Sequence, residues 1–249
     1  MQRYFVSEKI NNSFLFSNDD IHHIKNVMRM EVGNHIEVVY NSKLYICEIV
    51  KIDKDNIEVS VVEEQDSFNE LNKHVTIAFS ITKEDKIDLI LQKCTELGIS
   101  EFIPVEMSRC NVKIDSSKLD KKINRWQKIC KEASEQSKRN MIPKVNNIHK
   151  LKDLITLDYD LKIVCSVNQS VINIKKVLQN NAYCDRIIFV IGPEGGISDE
   201  EESYLTNNNF IATSLGKRVL RTETAPIVIG SILNYEYMEW YYDRYYKYV

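Results

Sequence analysis

The stretch Arg186–Ile191 restricts the fold of this 249-residue chain more than any other: five consecutive apolar residues run directly into Gly192-Pro193-Glu194-Gly195-Gly196. A strand without polar alternation is apolar on both faces, which suits a parallel sheet covered by helices on each side. Lys162–Ser166 and Ile211–Ser214 read the same way. From Val75 the chain alternates strand and helix, the rhythm of an α/β domain. Val75–Ile81 and Phe102–Val105 are predicted strands. Asp85–Leu97 is a predicted helix with Ile87, Ile90, Leu91 and Cys94 on one face and Gly98 past its end. Ser116–Lys138 is a long amphipathic helix, and Ser198-Asp-Glu-Glu201 is a capping box for a helix to about Thr206. A last helix runs from about Thr224 to Tyr246.

Residues before Val75 follow a different pattern. Arg3–Val6 and Ser13–Phe16 are short strand candidates, and Ser17-Asn-Asp-Asp20 caps a short helix that places Ile21, Ile24, Val27 and Met28 on one face. Strands at His35–Tyr40, Leu44–Ile52 and Asn56–Val62 follow, separated by turn-rich Asn41-Ser42 and Asp53-Lys54-Asp55. Together they describe a small barrel-like unit. The polar stretch Glu63–Lys73 places the boundary, giving a first domain of residues 1–72 and a second of 73–249.

Several functional classes lose support. The six cysteines, Cys47, Cys94, Cys110, Cys130, Cys165 and Cys184, are nowhere closer than 16 positions, and no histidine pair has helical spacing, so metal chemistry is not expected. The opening MQRYFVSEKI has no apolar leader pattern and no apolar run approaches a membrane span, so a cytoplasmic location is expected. Net charge is −3, but unevenly spread. Residues 1–72 carry seven basic and thirteen acidic side chains, whereas residues 113–144 carry ten basic and four acidic. The second segment is either a phosphate-binding surface or a solvated helix face.

Only seven glycines occur, and three of them lie in the loop after Arg186–Ile191. Glycine at the carboxyl end of a parallel strand lets backbone approach a ligand, and the following helix start offers free N–H groups. A ligand-free tight turn is the alternative. The loop Ser214-Leu-Gly-Lys-Arg-Val-Leu-Arg-Thr-Glu-Thr-Ala225 follows the next strand, so two ligand-competent loops sit at strand carboxyl ends. A dinucleotide site wants GxGxxG and an acid at the end of the next strand. Here the spacing differs and that strand ends at Thr213-Ser214. A phosphate-binding GxxxxGK[ST] is absent as well.

Ile191-Gly-Pro-Glu-Gly-Gly-Ile-Ser198 followed by Ser214–Ala225 resembles the paired cofactor motifs of the RsmE family of SPOUT RNA methyltransferases. Arg3-Tyr4-Phe5, His23–Arg29, Gln92–Gly98 and Glu132–Arg139 with Pro143 are similar to that family too, so the likeness runs along nearly the whole chain. The resemblance implies an α/β SPOUT domain with a C-terminal trefoil knot, preceded by a PUA-like β-barrel that helps hold RNA. It implies S-adenosylmethionine as cofactor, N3 of a uridine in 16S (small-subunit) ribosomal RNA as target, and a homodimer formed through the C-terminal domain. Carried over residue by residue, cofactor contacts fall on Val167, Ile191, Gly192, Pro193, Glu194, Gly195, Gly196, Leu215, Gly216, Val219, Leu220 and Arg221.

Arg221 is the candidate for stabilising negative charge on the uracil carbonyls. Glu223 is either a base or the group that orients Arg221, and an Arg–Glu pair that only locks the loop is the plain alternative. Arg3, Arg29, Arg109 and Arg139 are phosphate-contact candidates. The aromatic C-terminus, with Tyr235, Tyr237, Trp240, Tyr241, Tyr242, Tyr245, Tyr246 and Tyr248, suggests a dimer interface, with base stacking as its rival. Two readings compete with the enzyme: an RNA-binding assembly protein that keeps the fold, and a nucleotide-dependent enzyme using the Gly192–Gly196 loop.

Overall fold

The computed structural model describes residues 1–10, 13–66, 69–112, 114–168 and 170–237. Their chain forms two compact units, one of Met1–Glu70 with Ser134–Met141, the other of Leu71–Ala133 with Ile142 onward. The first unit thus takes in a short later segment besides the residues before Leu71.

In the first unit, strands β1 (Arg3–Phe5), β4 (His35–Tyr40), β5 (Lys43–Ile52) and β6 (Ile57–Gln65) form a four-stranded sheet in that order. β1 pairs in parallel with β4 and the other pairings are antiparallel. β2 (Glu8–Ile10) and β3 (Ser13–Leu15) make a separate ribbon, tied to the sheet where the Val59 N–H donates to Ser13 Oγ at 3.2 Å. Helix α1 (Asn18–His22) starts at the expected cap, with Ser17 Oγ accepting from the Asp20 N–H, and continues into a π-helical turn over His23–Val27. Tyr4, Phe14, Phe16, Ile24, Ile36 and Ile49 fill the core.

Ser134–Met141 joins this unit through buried charge. The Arg3 guanidinium donates to Glu37 at 2.8 Å and to the carbonyls of Lys138 and Arg139 at 2.5 and 2.9 Å. Arg139 donates to Glu70 Oε2, while Glu70 Oε1 accepts the N–H groups of Asn140 and Met141 at 2.8 and 3.0 Å. Both carboxylates thus gain further donors beside their arginine, Lys138 for Glu37 and two backbone N–H groups for Glu70, which is how a buried ion pair is tolerated.

The second unit is built on a parallel sheet whose strands are β7 (His74–Ser80), β8 (Glu101–Glu106), β9 (Lys144–Val145), β10 (His149–Lys150), β11 (Leu161–Cys165), β12 (Ile172–Asn173), β13 (Arg186–Ile191) and β14 (Ile211–Ser214). Their spatial order is β10-β8-β7-β13-β11-β14-β12, with β9 beside β10 on the same edge of β8. Alternate residues of the central strands enter two cores. Ile77, Phe79, Ile187 and Phe189 face one side, packed against α2 (Glu84–Glu96), α3 (Leu119–Gln136), α4 (Ile174–Asn180) and α6 (Thr224–Tyr237). Ala78, Ile188 and Val190 face the other, against Leu205 of α5 (Asp199–Thr206) and Leu154. Helices on both faces explain why the strands carry no polar alternation. α2 and α6 meet at Gly230, where an added Cβ would lie 2.9 Å from the Leu97 side chain.

At the amino ends of β7 and β8 a polar knot replaces apolar packing. The Glu101 carboxylate receives His74 Nε2 at 3.2 Å, Thr76 Oγ1 at 3.1 Å and Asn146 Nδ2 at 2.7 Å, and the Tyr159 hydroxyl donates to Thr76. The His74 contact leads in holding its carboxyl down at about 2; burial opposes, and the Asn146, Thr76 and Tyr159 contacts overcome it. A depressed carboxyl stabilises the fold above its unfolded value of 4.5 and loses that contribution as pH falls toward 2. Glu101→Gln is expected to remove on the order of 3 kcal/mol at neutral pH and to flatten the loss of stability below pH 4.5. Denaturant titrations at pH 7 and pH 3 measure this, and identical acid sensitivity in variant and wild type contradicts it.

Candidate functional site

β13 and β14 follow one another in sequence, yet β11 lies between them in the sheet. The chain ends leaving β11, β13 and β14 therefore emerge side by side at the carboxyl edge, where open α/β sheets bind ligands. They enclose a cleft of about 720 Å³, counting its open mouth. Val167, Ile191, Gly192, Pro193, Gly196, Leu215, Gly216, Val219, Leu220 and Arg221 line it, so the Gly192 and Gly216 loops share one cavity. Its mixture of apolar side chains with backbone polar groups matches small-molecule pockets.

Local geometry explains the residue types. The Gly196 N–H donates to the Pro193 carbonyl at 2.8 Å and Gly196 adopts φ 73°, a turn that disfavours a side chain. At Gly192 a Cβ would fall 2.6 Å from Ile197 Cγ1 and 2.9 Å from the Ile197 nitrogen. At Gly216, φ is 132° and a Cβ would meet open space. Thr222 Oγ1 donates to the Gly192 carbonyl at 3.3 Å, linking the two loops directly. Ser198 and Glu201 form the reciprocal capping box that starts α5 behind the glycine loop.

Glu194 and Gly195, the other two residues of the glycine loop carried over as cofactor contacts, are not among the residues lining the cleft. Glu194 turns outward, accepting from Thr82 Oγ1 and Lys86 Nζ at 2.6 Å each. Burial would raise its carboxyl; the Lys86 and Thr82 hydrogen bonds outweigh that and hold it at about 2. Gly195 backs onto Arg109, whose Cβ would stand 3.3 Å from an added Cβ. Arg221 is 83 % exposed at the cleft, and its guanidinium lies 4.0 Å from Glu223, itself 12 % exposed. The other Glu223 oxygen is 3.3 Å from Lys86.

Four residues escaped the sequence reading: Lys86, Thr82, Thr222 and Glu202, the last supplying a carboxylate to the cleft wall. The helical period could have placed Glu202 one turn after the Ser198 cap. Thr82 lies in the β7–α2 connection and Lys86 in the first turn of α2, each more than 100 positions from Glu194, and no local pattern marks them.

The arginines separate into distinct classes. Arg3 and Arg139, phosphate-contact candidates in the sequence, have side chains 3 % exposed and pair with Glu37 and Glu70. Arg109 is exposed but donates to the carbonyls of Gly195 and Ile197 at 2.9 and 3.4 Å, bracing the glycine loop. Arg29 is exposed, with φ 51°. In the basic segment Lys122 pairs with Glu84, Arg125 with Asp88 and Lys138 with Glu37, which neutralises part of its charge locally. Tyr235 is 80 % exposed on α6 and Tyr237 packs at the core edge. Trp240, Tyr241, Tyr242, Tyr245, Tyr246 and Tyr248 lie outside the described residues.

Comparison with known proteins is consistent along the chain. Residues 69–234 match the model of an RNA methyltransferase domain and residues 16–62 that of an RNA methyltransferase PUA domain. The chain is 37 % identical to ribosomal RNA small subunit methyltransferase E of Bacillus subtilis, over 95 % of its own length and 97 % of the relative's. It is 34 % identical to the protein of the same name from Mesomycoplasma hyopneumoniae, covering 92 % and 97 % of the two chains. A crystal structure of the Neisseria gonorrhoeae ribosomal RNA small subunit methyltransferase E bound to S-adenosyl methionine superposes with a TM-score of 0.86 at 28 % identity, over 95 % of this chain and 98 % of that one.

The split among the arginines is measurable. Arg139→Ala leaves Glu70 buried without its cation and is expected to cost about 3 kcal/mol or more. Arg29→Ala, on the surface, is expected to stay within about 0.5 kcal/mol of wild type. Equal stabilities of the two variants in urea unfolding contradict the assignment.

Proposed function

The chain belongs to the ribosomal RNA small subunit methyltransferase E family, and from that premise we propose that it is an S-adenosylmethionine-dependent enzyme that methylates N3 of a uridine in 16S ribosomal RNA. The observation that carries the reading is the cleft where the ends of β11, β13 and β14 converge. Ile191, Leu215, Val219 and Leu220 offer an apolar enclosure suited to an adenine ring, and the backbone at Gly192 and Gly216 on the same wall offers donors and acceptors for its polar edge. The carboxylate of Glu202 and the end of β11 at Val167 complete the wall. When bound, the cofactor supplies an electrophilic methyl group on a sulfonium centre.

The remaining tasks fall to side chains. Arg221, exposed at the cleft, stabilises negative charge on the uracil carbonyls as N3 gives up its proton. Glu223 has one oxygen toward Lys86 and the other toward Arg221, which suits an orienter of Arg221 better than a proton acceptor. Thr222 keeps the two loops at working distance through Gly192.

The surrounding architecture follows the same reading. The first unit serves as a PUA-like barrel that holds RNA, with Arg29 as a phosphate contact, and Arg109 is a second contact beside the glycine loop. The loops after β13 and β14 belong to a trefoil knot in the SPOUT domain, a rare exception to un-knotted topology. The protein works in the cytoplasm as a homodimer, for which exposed Tyr235 on α6 is interface material.

Calorimetric titration with S-adenosylmethionine is expected to give saturable binding. Gly192→Val, whose side chain must displace Ile197, is expected to weaken that binding more than tenfold while far-ultraviolet circular dichroism stays native. Transfer of label to small-subunit RNA, with N3-methyluridine identified by mass spectrometry, checks the product. Heat from NAD or ATP instead, or no heat at all, overturns the reading.

A further inference from the structure

The group that organises the reacting side chains lies outside the cleft. Lys86 is the third residue of α2, and its ammonium stands 2.6 Å from Glu194 of the glycine loop and 3.3 Å from Glu223 at the start of α6. The Glu223 side chain is 12 % exposed, and its Lys86-facing oxygen is buried without an aligned hydrogen bond. Glu194 has a second partner in Thr82. Two carboxylates from different loops thus converge on one cation, and the more buried one depends on that cation for compensation. The other Glu223 oxygen is 4.0 Å from Arg221.

We infer that Lys86 is a positioning residue for methyl transfer: it ties the glycine loop to the α6 start through Glu194 and Glu223, and thereby sets where Arg221 stands at the cleft. The inference rests on the enzymatic reading above and extends it to a residue in the first turn of α2. Lys86 is not among the residues lining the cleft, so its effect is exerted through Glu223. Without it, Glu194 and Glu223 repel, the loops separate, and Arg221 loses its anchor. Displacements of about 1 Å in such arrangements cost up to a hundredfold in rate.

The experiment measures kcat, KM for RNA and the dissociation constant of S-adenosylmethionine in the full chain. Lys86→Met is expected to lower kcat on the order of tenfold or more while KM for RNA stays within about twofold, since phosphate contacts lie elsewhere. Lys86→Arg, which keeps the cation, is expected to recover most of kcat. Lys86→Met combined with Glu194→Gln, which removes the repulsion, is expected to be faster than Lys86→Met alone. If Lys86→Met does not fold, Lys86→Gln takes its place with the same expectations. Wild-type kcat in the neutral variant, or a double variant no faster than the single one, overturns the inference while leaving the enzymatic reading intact. A wild-type chain that binds no S-adenosylmethionine and transfers no methyl group overturns both.

Discussion

The site depends on one topological constraint, the placement of β11 between β13 and β14. Parallel strands present their carboxyl ends on a common edge, and the crossover from β13 to β14 passes over the strand between them. Three loops distant in sequence are brought to one point as a result. The small residues follow from that crowding. Gly192 has no room for a Cβ beside Ile197, and Gly196 takes a positive φ to close its turn. Thr222 then needs only a hydroxyl to reach the Gly192 carbonyl.

Charge serves the two units in different ways. In the first, Arg3–Glu37 and Arg139–Glu70 are sealed from solvent and supplemented by backbone donors and acceptors, so they act as fixed joints. In the second, Lys86, Glu194 and Glu223 are partly solvated and bridge loops that must keep a defined spacing. The Glu101 cluster is a third use: a carboxylate whose hydrogen bonds close the amino end of the sheet, opposite the edge that carries the cleft.

Much of the architecture was legible because it follows local periodicity. The apolar runs became β11, β13 and β14, the helical spacing of Ile87, Ile90, Leu91 and Cys94 became the buried face of α2, and Ser17 and Ser198 cap helices as their positions predict. Elements too short to carry a period were not legible: β9, β10 and β12 have two residues each, and their pairing is decided by the sheet edge they meet. The long helix begins at Leu119, after a 3₁₀ turn over Ser116–Lys118. At the site, glycine scarcity points to the loops that line the cleft but cannot say which way each residue faces: Glu194 is held by Thr82 and Lys86, and Gly195 backs onto Arg109.

The sequence by itself determined the longer elements, their two contrasting rhythms and the glycine-rich positions where a ligand can approach backbone, because helix and strand periods and turn chemistry act over a few residues. Only the tertiary structure decided which arginines are buried, which carboxylates share Lys86, and that Ser134–Met141 belongs with the first unit. Those outcomes depend on partners far apart in the chain, by 34, 108 and 136 positions in three of the contacts. A guanidinium has the same sequence signature whether it faces water or a carboxylate, and desolvation alone distinguishes the two.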